Sequence, residues 1–204
     1  MARKQQEKSR QTMADLMAAA EELFSGKGFL ATTVAEITQH AGYAKGSFYR
    51  HWDSKDALFL EIVEHKLHAY REARDEKIGR ARTLREAMLV IWDFLESILS
   101  DRNWAKVFLE FTVQAARDAA LKKTLTRRQY RLSEALFADL VREFVDSDCP
   151  PEKLGALNTV LFEGFMVHNA LEVGVLDIAD IREAAVALAL QLGTKDGVGR
   201  VKVL

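Results

Sequence analysis

The stretch from Thr33 to Lys55, TVAEITQHAGYAKGSFYRHWDSK, decides how the first quarter of this chain folds. It opens with Thr33 and Glu36 at the spacing of a capping box, in which the two side chains cap the start of a helix reciprocally. That helix is short, because Gly42 follows it and supplies a tight turn. A second short helix is predicted over about residues 44–50. Two short helices joined by a glycine turn predict a helix-turn-helix.

The second helix of this motif carries side chains suited to DNA. It begins with small residues, which let a helix end approach base edges closely, and Lys45 and Ser47 can form hydrogen bonds in the groove. Tyr49 and His51 can donate to phosphate oxygens. Spacing alone leaves a second interpretation open. A helical hairpin with a glycine turn is common in all-helical proteins, where Tyr49 would pack and Lys45 would be a solvated surface charge.

The rest of the chain also has the apolar periodicity of helices, and no alternating strand pattern is present. We therefore predict an all-α fold: an N-terminal three-helix helix-turn-helix domain over residues 1–53, followed by a larger helical ligand-binding and dimerisation body over residues 54–204. Within the body we predict one long helix over about residues 119–144. We predict another from the prolines at 150 and 151 to about Gly174, and a last one over about residues 178–192.

Composition narrows the class of protein. No run of about 18 apolar residues occurs, and the N-terminus has no apolar segment behind its basic residues, so neither a membrane span nor a signal peptide is expected. Cys149 is the only cysteine, which is typical of a reducing, cytoplasmic location. Residues 1–55 hold eight basic and six acidic residues, a net charge of +2, whereas the remainder carries −3. The sign suits an N-terminal anion-binding module.

The same N-terminal stretch resembles a known family. The segments Gly28-Phe-Leu-Ala-Thr-Thr-Val-Ala-Glu-Ile37, Ala41-Gly42, Lys45-Gly-Ser-Phe-Tyr-Arg-His-Trp52 and Ser54-Lys-Asp-Ala-Leu58 are similar to the DNA-binding domain of the TetR family of regulators. The resemblance covers roughly residues 10 to 60. It implies a ligand-responsive transcriptional repressor that binds palindromic operator DNA as a homodimer, has no cofactor or metal, and is not an enzyme.

The resemblance also implies roles for particular residues. Phosphates would be held by Thr33, Tyr49, His51 and Lys55, and bases would face Ala44, Lys45 and Ser47. The family usually has serine at the position of Ala44, so a helix cap and one DNA contact are lost there. An effector pocket in the body is predicted to be lined by Trp92, Trp104, Phe108, Glu110, Phe111, Gln114, Phe165 and Asn169. Of these, Glu110 would suit a cationic or hydrogen-bonding effector. The dimer interface is predicted at Leu157, Leu161, Gly164, His168, Leu171, Ile181, Ala185 and Leu188, on the last two helices.

Two other classes of function compete with this prediction. An enzyme or metal protein would use His65 and His68, which lie three residues apart on one helix face, although a solvated face is the commoner origin of such spacing. No phosphate loop, nucleophile elbow or zinc-protease motif is present. The alternative to the repressor is a helical protein-interaction adaptor without DNA binding. It would lack DNA affinity at any salt concentration.

Overall fold

The computed structural model describes residues 2–99 and 101–194, and within these ranges the chain is almost entirely helical. The only extended pairing among these described residues is a single bridge between Asp146 and Thr194. None of the described helices is long and apolar enough to cross a membrane. The helices are α1 (Ala2–Lys27), α2 (Val34–His40), α3 (Lys45–Phe48), α4 (Lys55–Ile78), α5 (Leu84–Leu99), α6 (Arg102–Arg117), α7 (Ala119–Leu125), α8 (Arg131–Val141), α9 (Pro151–Ala170) and α10 (Ile178–Gly193).

The chain forms two compact units. The first contains residues 1–69 and 106–122, and the second contains residues 70–105 and 123–204. The first unit thus includes more of the chain than the predicted helix-turn-helix domain of residues 1–53, because it takes in half of α4 and most of α6. Both α4 and α6 have residues in each unit.

An aromatic cluster forms the core of the first unit. Phe29 lies 5.3 Å from Phe24, 5.2 Å from Phe59 and 5.1 Å from Phe111, measured between ring centroids. All four rings are almost completely buried. Burying a phenylalanine side chain stabilises a fold by about 2–3 kcal/mol. The α6 segment is therefore part of the first unit's core, since Phe111 supplies one ring of the cluster.

The second unit is built on α5, α8, α9 and α10, which pack against one another. A close approach of α8 and α9 depends on Gly155, because a Cβ there would lie 3.0 Å from the Glu134 carbonyl oxygen. Inside the unit, the Trp92 indole N–H donates to the Asn158 side-chain oxygen at 2.8 Å. Both residues are buried, and this hydrogen bond satisfies the indole N–H and the side-chain oxygen.

Two predicted helices differ from the observed ones. The long helix predicted over residues 119–144 is continuous but not α-helical throughout: α7 ends at Leu125, a π-helical turn follows over Thr126–Tyr130, and α8 gives way to a 3-10 turn over Arg142–Phe144. The helix predicted to reach Gly174 ends at Ala170. Glu172 and Gly174 both have positive φ angles, of 55° and 72°, which a right-handed helix cannot contain.

Candidate nucleic-acid interface

The start of α2 is capped as its sequence predicts. The Thr33 hydroxyl accepts from the Glu36 N–H at 3.2 Å, and the Glu36 carboxylate accepts from the Thr33 N–H at 2.8 Å. The Lys27 ammonium also binds the Glu36 carboxylate. The Lys27 and Thr33 hydrogen bonds together lower the Glu36 pKa to about 2. This carboxylate therefore remains charged at neutral pH and holds α2 to the end of α1.

The turn after α2 is held to α1 by side chains. Gly42 has a φ of +75°, the left-handed conformation that the predicted glycine turn requires. The Tyr43 hydroxyl donates to Asp15 at 2.7 Å, and this hydrogen bond lowers the Asp15 pKa. One turn earlier, His40 Nε2 lies 2.8 Å from a Glu22 carboxylate oxygen. Both contacts set the direction in which the chain enters α3.

Helix α3 separates its buried side chains from its exposed ones. Phe48 is fully buried and its ring lies 5.5 Å from that of Trp52, which is also buried. Lys45 is exposed, and Tyr49 is 50% exposed with the Lys45 ammonium 6.0 Å from its ring. Phe48 and Trp52 thus anchor one side of α3 in the core. The other side exposes the Lys45 ammonium and the Tyr49 hydroxyl to solvent.

The other predicted DNA contacts differ in how far they are exposed. Thr33 and Ala44 are exposed, and Ala44 forms no side-chain cap at the start of α3, as expected from the missing serine. Ser47 and His51 are half-buried. An added Cβ at Gly46 would have nothing within 4 Å, so the surface of α3 is open at that point. Direct DNA contact by any of these residues stays a prediction.

Lys55 takes a different position from the other predicted phosphate ligands. Its ammonium donates to the carbonyl oxygens of Phe29 and Thr32, each at 2.6 Å, and lies 4.2 Å from the centre of the Phe29 ring. Burial lowers the pKa of this ammonium, while the nearby carboxylates of Asp56 and Glu110 oppose that shift. Lys55 is therefore bound to the protein backbone by the group that was predicted to hold a phosphate.

The eight predicted effector residues divide between the two units. Phe108, Glu110, Phe111 and Gln114 belong to the first unit, and Trp92, Trp104, Phe165 and Asn169 belong to the second. Phe111 is fully buried in the aromatic cluster of the first unit. The Glu110 carboxylate accepts from the Phe29 N–H at 2.8 Å and from the Leu30 N–H at 3.0 Å. These two side chains thus have partners inside the first unit, and contact of either one with an effector stays a prediction.

Sequence reasoning missed two polar residues of the second unit. Asn158 was not predicted as functional, although a buried polar residue in an apolar helix is the available signal. It binds Trp92, whose ring lies 6.3 Å from that of Phe162. Glu163 is the other: burial raises the pKa of its carboxyl group, and a hydrogen bond from Tyr130 partly offsets the shift.

Most residues predicted at the dimer interface are accessible in the single chain. Gly164, His168 and Leu171 are exposed, whereas Leu157, Leu161, Ile181 and Leu188 are half-buried. Ala185 is the exception, since it is 3% exposed and packs within its own chain. Val160 and Val167 are 66% and 42% exposed and extend the apolar surface of α9.

The described residues include no group of three or more His, Cys, Asp or Glu side chains arranged to hold a metal ion. His65 and His68 therefore gain no third ligand of these types within residues 2–99 and 101–194.

Family models match both parts of the chain. The model described as bacterial regulatory proteins, tetR family, matches residues 16–62, and the C-terminal model of BetI-type transcriptional repressors matches residues 83–192. The second match alone covers more than half of the chain. The chain belongs to the TetR family. This TetR-family protein is a DNA-binding transcriptional repressor, as the resemblance of its N-terminal stretch implies.

Individual relatives agree with the family models. The transcriptional repressor AcnR of Corynebacterium efficiens is 24% identical in an alignment of 182 positions that covers 84% of this chain and 90% of AcnR. FadR of Thermus thermophilus, solved with lauroyl-CoA, has a TM-score of 0.70 at 19% identity and covers 94% of this chain and 97% of its own. A Saccharomonospora viridis regulator solved with choline has a TM-score of 0.70 at 14% identity. The match covers 88% of this chain and 96% of that regulator. The two structures share the fold with this TetR-family chain.

Proposed function

We propose that this protein represses transcription by placing α3 of each subunit of a homodimer in the major groove of a palindromic operator. The arrangement of α3 carries the proposal. Phe48 and Trp52 anchor the helix in the core, and this leaves Lys45, the open position at Gly46 and Tyr49 on the outer surface. A short helix held from behind, with small and hydrogen-bonding residues outward, suits groove entry.

The exposed residues of the first unit would make two kinds of DNA contact, one with base edges and one with phosphates. In our proposal Lys45 and Ser47 face base edges, and Ala44 contributes only its methyl group. Thr33, Tyr49 and His51 hold phosphate oxygens on either side of the groove. The Tyr49 hydroxyl suits this role because its ring is half exposed and packs edge-on against Phe48, with centroids 5.3 Å apart.

The proposed dimer interface is an apolar stripe on α9. Val160, Gly164, Val167 and Leu171 recur at the spacing of one helix face, and all four are exposed in the single chain. An added Cβ at Gly164 would meet nothing within 4 Å, so a partner helix can approach closely there. Two subunits bring two copies of α3 to one operator, as two-fold DNA sites require.

A pair of tyrosine variants tests the DNA-binding proposal. Operator DNA is taken from beside the protein's own gene and titrated at several salt concentrations. Tyr49→Phe should weaken binding about tenfold or more, since a hydrogen bond to a charged group contributes about 1.5–3 kcal/mol. The melting temperature should not change. Tyr130→Phe is the matched control: it removes a hydroxyl that bonds Glu163 in the second unit, so it should leave the operator affinity intact.

Two results would contradict the proposal. Absence of specific binding by the unsubstituted protein at any salt concentration would favour the protein-interaction adaptor. Equal operator affinity of Tyr49→Phe and the unsubstituted protein would remove Tyr49 from the contact set.

We place the effector in the C-terminal body and infer that the protein acts in the cytoplasm by binding rather than by catalysis. The buried aromatic and polar interior near Trp92 and Asn158 supports this placement. Lauroyl-CoA and choline, the ligands of the two solved relatives, are the first probes. An effector should raise the melting temperature and release the operator, because it stabilises the state to which it binds. A compound that only raises the melting temperature would be a ligand without regulatory effect.

A further inference from the structure

The turn between α1 and α2 is held by two oppositely charged side chains from distant parts of the chain. Glu110 on α6 accepts the N–H groups of Phe29 and Leu30, at 2.8 and 3.0 Å. Lys55, the first residue of α4, donates to the carbonyl oxygens of Phe29 and Thr32, each at 2.6 Å. All five residues belong to the first unit.

We propose that Glu110 and Lys55 are positioning residues for operator binding, which fix the approach of the chain to α2 without touching the DNA. The inference rests on the proposed function above, because it concerns the same DNA-binding surface. Thr33, a proposed phosphate ligand and the cap of α2, directly follows the carbonyl that Lys55 binds. A shift of this turn would therefore displace Thr33 and the start of α2 together.

The turn has little freedom to adopt another conformation. Gly28 has a φ of +89°, and an added Cβ there would lie 2.9 Å from a Glu110 carboxylate oxygen. The Thr32 hydroxyl donates to the Gly28 carbonyl oxygen at 2.8 Å. The Lys55 ammonium lies over the Phe29 ring, an arrangement that adds cation–π attraction. Charge-assisted hydrogen bonds to backbone groups are stronger than neutral ones, so the pair is well suited to hold one geometry.

Other roles for these residues make different predictions. A lysine that binds a phosphate contributes to the salt dependence of DNA affinity, so its loss reduces the slope of log affinity against log salt by about one. A positioning lysine lowers affinity and leaves that slope unchanged. A glutamate near DNA repels phosphates, so by charge alone its neutralisation would strengthen binding. If Glu110 is a positioning residue, its neutralisation should weaken DNA binding instead.

The first test is the operator affinity of Glu110→Gln in the full-length protein. We expect binding about fivefold weaker or more, in the range typical of coupling between sites. Hydrogen exchange at the Phe29 and Leu30 amides should also become faster, because glutamine has a single acceptor oxygen for the two N–H groups. Glu143→Gln is the matched control: it removes the same charge from an exposed position in the second unit and should not weaken binding.

The second test is Lys55→Met, measured over a range of salt concentrations. We expect weaker binding at every concentration with the slope of the unsubstituted protein. A slope reduced by about one would instead make Lys55 a phosphate ligand and overturn its positioning role.

Folding is monitored separately by circular dichroism and melting temperature, and affinities are compared well below melting. If Glu110→Gln does not fold, Glu110→Asp replaces it, because it keeps the charge but shortens the side chain, and it should also weaken binding. Equal or tighter binding by the folded Glu110 variant, with only a lower melting temperature, would show a purely structural role. Failure of the unsubstituted protein to bind any operator would instead refute the proposed function itself.

Discussion

Glu36 shows how much one side chain of the DNA-binding unit contributes to local order. Its carboxylate accepts from the Thr33 N–H and hydroxyl and from the Lys27 ammonium, so it joins the cap of α2 to the last turn of α1. All three partners are hydrogen-bond donors, and each favours the ionised carboxylate. Their combined effect lowers the Glu36 pKa to about 2.

This shift predicts how stability depends on pH. A carboxyl group with a lowered folded-state pKa stabilises the fold above its ordinary pKa of 4.5, and this contribution is lost as pH falls through the folded value of about 2. The unsubstituted protein should therefore melt at a higher temperature than Glu36→Gln at pH 6, and the difference should shrink between about pH 4.5 and pH 2. Thermal melts at several pH values measure it. A difference that stays constant over this range would assign the effect to shape rather than charge.

At the scale of the element, the two glycines at the end of α1 differ in whether the position could accept a side chain. Gly26 lies within the helix, and an added Cβ there would meet nothing within 4 Å. Gly28 ends the helix with a φ of +89° and lies against Glu110. The helix can thus stop and turn toward α2 only because the second of these positions lacks a side chain.

The two glycines give a matched pair of variants. Gly28→Ala should destabilise the protein by about 1–2 kcal/mol, the cost of a left-handed residue with a Cβ. It should also weaken operator binding, since the added Cβ displaces Glu110. Gly26→Ala should be neutral or stabilise by up to about 1 kcal/mol, because alanine favours helix. Chemical denaturation measures both changes. Equal effects of the two substitutions would contradict the difference in backbone geometry.

At the scale of the whole molecule, function requires two copies of α3 on one operator, and the surface of α9 is suited to join two subunits. The stripe of Val160, Gly164, Val167 and Leu171 leaves apolar side chains in water in the single chain. Burial of such a surface against a second copy is favourable, and a closed two-fold dimer uses the same patch on both subunits.

The substitution Gly164→Arg tests this surface without altering the interior of the subunit. The position has open space around it, so arginine should fit the single chain and even favour helix over glycine. In a dimer, the two long charged side chains would meet at the closest approach of the paired helices. We expect a monomer in sedimentation analysis and a large loss of operator affinity. A variant that remains dimeric at the same concentration would place the interface elsewhere.

The sequence alone determined the local features of the DNA-binding unit. The capping box at Thr33, the left-handed turn at Gly42 and the end of α1 at Gly28 all follow from residues within one helical turn of each other. Such signals need no knowledge of the rest of the chain, because caps and turns are made by near neighbours. The family resemblance used these same residues.

Only the tertiary structure decided which distant side chains contact each other. Glu110 lies 81 residues from its hydrogen-bond partner Phe29, and Asn158 lies 66 residues from Trp92. From the sequence, Glu110 was equally suited to an effector pocket, since helical periodicity shows which residues share a face but not what that face meets. Pairings of this kind depend on how helices pack, and no local pattern specifies that packing.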